Sequence, residues 1–251
     1  MSKSTIEWTE STWNPVTGCN QISPGCKNCY AAVLSNRLKA MGIENYSNGF
    51  ELTLQPQMLS IPKKVKKPTK FFVNSMSDLF HKEIPFGYIQ SVFKVMIECP
   101  QHTFQILTKR SDRLRDVQGS LPWLYNIWQG VSVESPEYFN RIDDLINTDA
   151  KVKWLSLEPL LAPMINLPLD GIDWVVVGGE STPSKAKLRE MGTNWVRDIR
   201  DQCIDKNVPF FFKQWGGINS QKKKNGRTLD GIIHDEWPQQ IVNNTLLNGG
   251  E

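Results

Sequence analysis

Short apolar runs recur along the chain, and most are followed by a segment in which apolar residues have helical spacing. These runs are rich in β-branched and aromatic residues and predict strands at 71–74, 103–107, 128–133, 152–157, 174–177 and 209–212. Runs that are apolar throughout, such as 174–177, suit strands buried on both faces, as in a parallel sheet covered by helices. Repeated strand–helix units of this kind predict an α/β fold.

Helical spacing fills the intervals between these strands. It predicts helices from 29 or 30 to about 41 and at 86–98, 111–117, 136–146 and 194–205, with Ser111, Ser135 and Thr193 as N-caps. A first strand is expected within 11–17. About six to seven parallel strands predict a single-domain partial or irregular (β/α) barrel rather than a regular eightfold one. We expect the barrel to span 1–217, with a loop-rich extension at 218–251 that packs on the same domain.

Polar residues follow directly after the predicted strands. In a barrel of parallel strands these positions meet at one face, where functional residues cluster. The set comprises Asn74, Ser75, Ser77, Asp78, Lys109, Ser132, Glu134, Glu158, Glu180, Lys213 and Gln214. Charges that converge from consecutive strands predict a polar cavity, which indicates a binding or catalytic site rather than a structural scaffold.

Composition excludes several classes of protein. With 39% apolar and 22% charged residues and a net charge of +3, the chain resembles globular proteins rather than disordered or membrane proteins. No run approaches about 18 apolar residues, and the polar start lacks a signal-peptide region, so we expect a cytoplasmic protein without membrane contact. Two basic clusters could touch phosphates or form solvated loops. They contain Lys63, Lys64, Lys66, Lys67 and Lys70, and Lys222, Lys223, Lys224 and Arg227.

Three of the five cysteines, Cys19, Cys26 and Cys29, form a C-x6-C-x2-C cluster in the segment GCNQISPGCKNCY. Cys99 and Cys203 lie in apolar or helical stretches, and we expect them to be core thiols. A reducing compartment disfavours disulfides, so the cluster is a candidate metal site. Structural zinc normally takes four protein ligands, whereas a 4Fe-4S cluster held by three cysteines leaves one iron free to bind a small molecule.

The cysteines alone leave other interpretations open. Zinc could complete its ligand set with a distant histidine (His81, His102 or His234), which would make the chain a zinc-stabilised nucleic-acid-binding module without catalysis. The thiols could also bind no metal. A third hypothesis is a hydrolytic metalloenzyme with a divalent ion among strand-end carboxylates, namely Asp78, Glu134, Glu158 and Glu180.

Longer blocks carry a family resemblance that covers most of the chain. They read IEWTESTWNPVTGC, SPGCKNCYA, FVNSMSDLFH, TKR, GVSVES, LSLEPLL, DWVVVGGES and VPFFFKQWG. In these blocks the chain resembles a phage-associated three-cysteine family near the radical S-adenosylmethionine enzymes, with spore photoproduct lyase as a more distant relative. It departs from the usual pattern in its x6 gap, where x3 is commonest, and in TPSKAKL after GGES, where relatives often have a Gly-Pro-Gly-Ala-Arg-Pro-like run.

The resemblance implies a radical S-adenosylmethionine type of barrel, with a 4Fe-4S cluster on the three cysteines and S-adenosylmethionine as second cofactor. It implies contacts of Asn74, Ser75, Ser77 and Asp78 with the methionine amino group, and of Ser132 and Glu134 with the ribose or sulfonium. Tyr30 would lie beside the adenine or be a core aromatic. Arg141 would pair with the methionine carboxylate or form a surface ion pair with Asp143 or Asp144. The remaining residues would orient the substrate: Lys109, Glu158, Glu180, Lys213 and Gln214.

The same resemblance implies the type of reaction. One-electron reduction, from a donor such as flavodoxin or ferredoxin, would cleave S-adenosylmethionine to a 5'-deoxyadenosyl radical that abstracts hydrogen from a C–H bond. Phage association and kinship with a DNA-lesion lyase favour a nucleic-acid base as substrate. We expect isomerase or lyase chemistry on a hypermodified thymine in phage DNA, in the host cytoplasm if a phage encodes the protein.

Overall fold

A computed structural model describes residues 4, 6–182, 188–218 and 226–238. Seven strands form its main sheet, in which every neighbouring pair is parallel and spatial order follows chain order. They are β1 (Ser11–Trp13), β2 (Lys70–Val73), β3 (Thr103–Thr108), β4 (Ile127–Ser132), β5 (Val152–Leu157), β6 (Trp174–Gly178) and β7 (Phe210–Gln214). The α/β prediction is therefore confirmed as a curled half-barrel of seven parallel strands.

Helices lie in most of the connections between these strands, although the segment 158–173 between β5 and β6 contains none. They are α1 (Tyr30–Ala40), α2 (Ile61–Lys64), α3 (Phe86–Ile97), α4 (Ser111–Val117), α5 (Asn140–Ile146) and α6 (Thr193–Asp205). The predicted helix at 136–146 is divided into a 3-10 turn, Pro136–Tyr138, and α5. Two N-cap predictions are wrong, because Ser111 and Thr193 are the first helical residues and Arg110 and Gly192 precede them. Ser135 does precede its 3-10 turn, but without a capping side-chain bond.

Alternating residues of the strands build two separate cores. The residues that face the helices, such as Phe71, Ile106 and Val175, join the larger core. Those on the concave face form an aromatic cluster with Trp8 that comprises Phe72, Trp128, Val152, Trp154, Trp174, Val176 and Phe211. A Cβ on Gly130 would lie 2.4 Å from the Trp154 ring, so only glycine lets this ring lie across the strand. The aromatic cluster fills the base of the half-barrel and leaves polar chemistry to the strand ends.

Shorter strands and the last described residues flank the sheet. Val16–Thr17 pairs with Thr53–Leu54, and Ser181–Thr182 pairs with Gly217–Ile218. Thr228–Leu229 and Ile232–Ile233 form a hairpin.

After the hairpin, the chain returns to the sheet, where Asp235 bridges Phe211 and Trp237 stacks on Trp174 at 4.9 Å. Of the second basic cluster, Lys222, Lys223 and Lys224 lie outside the described residues, as does most of the TPSKAKL run. Cys99 and Cys203 are buried, as predicted. Within the described ranges, no helix has the length and apolar character that a membrane crossing requires.

Candidate functional site

The loop that follows β1 carries all three clustered cysteines; we call residues 18–29 the cysteine loop. Gly18 begins it with φ +80°, and a Cβ there would lie 2.1 Å from the carbonyl oxygen of Glu51. The Gly18 N–H donates to the Met76 carbonyl oxygen at 3.0 Å, beyond the end of β2. Only glycine satisfies both the positive φ and the close backbone approach. Cys19 is therefore held at the carboxyl edge of the sheet.

Cys26 and Cys29 are held by local turns. Cys26 ends the 3-10 turn Pro24–Cys26, and the Cys29 N–H donates to the Cys26 carbonyl oxygen at 3.2 Å before α1 begins. All three cysteines of the cysteine loop are partly exposed, and none of them forms a disulfide bond. In the part of the chain that the structure describes, no three His, Cys, Asp or Glu side chains are close enough together to hold a single metal ion. A 4Fe-4S cluster spreads its cysteine ligands over several irons, so unpaired thiols spaced along one loop are compatible with it.

Burial changes the acidity of one of these thiols. Burial, followed by the charge of Asp78, raises the pKa of the Cys19 thiol to about 11, and the nearby Arg110 opposes this rise. Metal ligation requires the thiolate. A bound metal cation itself favours loss of the thiol proton, so the raised pKa describes the metal-free loop.

Arg110 links the end of β3 to the cysteine loop. Its Nη1 donates to Cys19 Sγ at 3.4 Å and to Asp78 Oδ2 at 3.2 Å, and its Nη2 donates to the Asn20 carbonyl oxygen at 3.2 Å. The side chains of Arg110 and Asp78 are both nearly buried. Hydrogen bonds between charged groups are stronger than those between neutral groups. This pair therefore fastens the first cysteine to the sheet.

The carboxylate of Asp78 is occupied by protein donors. Besides Arg110, it accepts bonds from Thr108 Oγ1 at 2.7 Å and from the backbone N–H groups of Phe80 at 3.0 Å and Lys109 at 3.1 Å. Four donors leave little capacity for the ammonium group that the sequence assigned to it. In the structure, Asp78 is an anchor for Arg110, and its contact with methionine stays a prediction.

Glu134 follows β4 and forms a buried ion pair with Arg141. Arg141 Nη1 donates to Glu134 Oε2 at 2.8 Å and to the Ser132 carbonyl oxygen at 2.7 Å, and its guanidinium lies 4.1 Å from the centre of the Tyr138 ring. Glu134 Oε1 accepts the N–H of Gly25, inside the cysteine loop, at 3.3 Å. Glu134 therefore positions this loop as well as Arg141.

The alternative that Arg141 forms a surface ion pair with Asp143 or Asp144 is wrong. Arg141 is 4% exposed and pairs with Glu134, while Asp144 accepts bonds from Ser111 Oγ at 2.6 Å and Arg115 Nη1 at 2.9 Å. Because Glu134 already neutralises Arg141, its pairing with a methionine carboxylate stays a prediction that the structure does not favour.

Glu180, which follows β6, holds the last part of the loop. It accepts bonds from Asn28 Nδ2 at 2.9 Å and Arg189 Nε at 3.0 Å, and Arg189 Nη1 donates to the Pro24 carbonyl oxygen at 3.0 Å. Burial alone would raise the pKa of Glu180, but hydrogen bonds from Arg189 and Asn28 outweigh it and lower the pKa. The lowered pKa favours the carboxylate form of Glu180, which accepts these hydrogen bonds and so holds the loop.

We call Asp78, Glu134 and Glu180 the loop anchors, since each follows a different strand and each is linked to the cysteine loop. Sequence reasoning assigned them to cofactor or substrate and missed Arg110 and Arg189, which complete two of the links. Arg110 follows Lys109 directly at a strand end, within the TKR block, so its position was a usable signal.

Glu158, Lys213 and Gln214 lie at the ends of β5 and β7. Lys213 Nζ lies 2.6 Å and 2.9 Å from the two carboxylate oxygens of Glu158, and both side chains keep some exposure, 15% and 22%. Gln214 Nε2 donates to the Gly179 carbonyl oxygen at 3.0 Å. The ion pair of Lys213 and Glu158 is partly open to solvent, unlike that of Glu134 and Arg141.

The residues after β2 serve mainly to connect it with the chain after β1. Asn74, at φ +58°, accepts the Val16 N–H at 3.3 Å, and Ser77 Oγ donates to the Val16 carbonyl oxygen at 2.8 Å. Tyr30 is 51% exposed, and its hydroxyl donates to the Ser75 carbonyl oxygen at 2.5 Å. The alternative of Tyr30 as a core aromatic is therefore wrong, and its ring is accessible beside the cysteines.

The three histidines contact groups other than the thiols, although the partner of His81 is Asn20, next to Cys19 in the cysteine loop. His81 Nε2 bonds Asn20 Oδ1 at 2.9 Å, and His102 Nε2 lies 3.1 Å from the carbonyl oxygens of Pro62 and Val65. His234 packs against Phe210 at 5.4 Å between ring centres. These partners do not favour a zinc site completed by histidine.

Comparisons with known proteins give a family and a distant likeness. A mutant spore photoproduct lyase matches with 13% identity and a TM-score of 0.47, over 80% of this chain and 62% of that one. Another mutant, with bound AdoMet and dinucleoside spore photoproduct, matches with 11% identity and a TM-score of 0.44, over 79% of this chain and 64% of that one. This chain thus spans less than two thirds of those lyases. No curated protein matches it.

The match to a protein-family model is nearly complete. It extends over residues 3–238, which includes the cysteine loop and all seven strands of the sheet. The chain therefore belongs to the family described as "Protein of unknown function (DUF5131)".

Proposed function

We propose that this protein is a radical S-adenosylmethionine enzyme that holds a 4Fe-4S cluster through Cys19, Cys26 and Cys29. The observation that carries the proposal is the cysteine loop itself, whose three unpaired thiols lie at the carboxyl edge of a parallel half-barrel. The three loop anchors hold it there through buried or partly buried hydrogen bonds. Such support from outside the ligands is typical of metal sites whose geometry matters.

When bound, the cluster would supply the electron that cleaves S-adenosylmethionine into methionine and a 5'-deoxyadenosyl radical. The protein would contribute position and shielding. The aromatic cluster includes Trp154 and Phe72 and lies at the base of the half-barrel. It would exclude water from that part of the concave face. Tyr30, which is 51% exposed, would be available for an adenine to stack on, as the family resemblance implies.

The substrate would bind beside the Lys213–Glu158 ion pair. These two side chains form a charged pair at the strand ends that is partly open to solvent. Gln214 follows Lys213 at the end of β7, and Lys109 directly follows β3. The proposed substrate is a base in DNA, with a hypermodified thymine rearranged by isomerase or lyase chemistry as the specific hypothesis. Flavodoxin or ferredoxin would donate electrons in the cytoplasm. The extension proposed at 218–251 would pack on the barrel of 1–217 through its described part, in which Trp237 stacks on Trp174; residues 219–225 and 239–251 lie outside the described residues.

The test is anaerobic purification followed by iron and sulfide analysis and a visible spectrum. We expect a brown protein with about four irons, loss of the iron in Cys26→Ala, and retention in Cys99→Ala, which removes a buried core thiol. A colourless protein with stoichiometric zinc after cluster reconstitution would refute the proposal and favour the zinc-stabilised binding module.

A second assay addresses the substrate. The reduced protein is incubated with S-adenosylmethionine and DNA that contains the modified thymine, and the DNA is digested and its nucleosides are separated by mass. The proposal expects a nucleoside of altered retention or mass that depends on S-adenosylmethionine. Unaltered nucleosides, with S-adenosylmethionine cleaved, would reject DNA as substrate but keep the radical chemistry.

A further inference from the structure

Arg110 makes an unusual contact for a residue outside the ligand set. Arg110 is 8% exposed, and its Nη1 reaches both Cys19 Sγ at 3.4 Å and Asp78 Oδ2 at 3.2 Å. Its backbone N–H donates to Thr108 Oγ1 at 2.8 Å, which fixes the start of the side chain. The Cys26 thiol differs, since its hydrogen-bonding neighbour is the neutral Ser23 hydroxyl at 3.8 Å. Cys19 is therefore in contact with a buried positive charge.

A cation in this place acts differently on the two oxidation states of a cluster. Reduction adds one negative charge to a group that three thiolates already make negative, so a fixed positive charge stabilises the reduced state more. Hydrogen bonds to cysteine sulfur have the same effect on the potential. Arginine is suited to this because it stays charged when buried and can bridge several acceptors at once.

We infer that Arg110 is a positioning residue that raises the reduction potential of the cluster through its bond to Cys19 Sγ. This inference rests on the proposed function. Asp78 has a double effect, because it orients Arg110 and also brings a negative charge near the same sulfur. Arg110 thereby makes it easier for an external donor to deliver the electron on which cleavage of S-adenosylmethionine depends.

The experiment is a redox titration of the reconstituted protein with dithionite, followed by electron paramagnetic resonance of the reduced cluster. Arg110→Gln removes the charge, and we expect a more negative midpoint potential. Arg110→Lys keeps the charge but not the bridging geometry, and we expect a smaller negative shift. The matched control is Arg113→Lys, because Arg113 lies in α4, which begins directly after Arg110, and donates to the carbonyl oxygens of His81 and Ile84 rather than to a cysteine.

Each outcome has a distinct meaning. Iron loss from Arg110→Gln, with native circular dichroism and full iron in Arg113→Lys, supports the positioning role because Cys19 is then no longer held as a ligand. Full cluster occupancy with an unchanged midpoint potential in both Arg110 variants would overturn the inference. A wild-type protein that takes up no iron would instead overturn the proposed function.

Discussion

The buried ion pair between Glu134 and Arg141 allows a quantitative test of the site's architecture. Glu134 has no exposed surface and Arg141 is 4% exposed, so neither charge is screened by water. Glu134→Gln leaves the guanidinium with the Ser132 carbonyl oxygen and the face of the Tyr138 ring as its remaining contacts. Removing one partner of such a pair costs about 3–5 kcal/mol, since the other charge stays buried. We expect a loss near the lower value, about 3 kcal/mol, because glutamine can still accept one hydrogen bond.

The assay is urea denaturation followed by tryptophan fluorescence. Glu137→Gln is the matched control, because Glu137 is an exposed acid in the same segment and its change should stay within about 0.5 kcal/mol. The double variant Glu134→Gln with Arg141→Met removes the unpaired charge. Its loss of unfolding free energy should therefore be smaller than the sum of the losses in the two single variants. A Glu134→Gln variant as stable as Glu137→Gln, or strictly additive single effects, would refute the argument.

Two further predictions concern packing and pH. Gly130→Ala places a Cβ 2.4 Å from the Trp154 ring, and this overpacking should lower the free energy of unfolding by about 1–3 kcal/mol in the same denaturation assay; wild-type stability would contradict it. Hydrogen bonds from Arg197 and then Arg200 lower the pKa of Asp230 from 3.8 to about 2. The ionised Asp230 therefore stabilises the fold above pH 3.8, and this stabilisation is lost as the pH falls toward about 2. The difference in Tm between wild type and Asp230→Asn should shrink over that interval. A difference in Tm that stays constant with pH would contradict the lowered pKa.

Several features of this protein follow from the sequence alone. Apolar runs such as 174–177 indicated buried parallel strands, because a strand covered on both faces is built mainly from apolar side chains. All six predicted strands appear within two residues of their predicted ends. The helix after Cys29 was also predicted, and it spans Tyr30–Ala40. The collection of polar residues at strand ends follows from the rule that parallel strands point the same way. Patterns of this kind depend only on residues that are close together in the sequence.

The partners of the polar residues were decided only by the tertiary structure. Glu180 and Asn28 are 152 positions apart, and Gly25 and Glu134 are 109 apart, so no spacing in the sequence could pair them. The sequence analysis therefore placed these carboxylates in contact with cofactor or substrate. In the folded chain, Asp78, Glu134 and Glu180 hold the cysteine loop instead. The N-cap predictions at Ser111 and Thr193 are wrong by one residue each, and neither α4 nor α6 has a side-chain bond that caps its first turn. Residue type determined which chemistry was possible here, and long-range packing determined which group each charge meets.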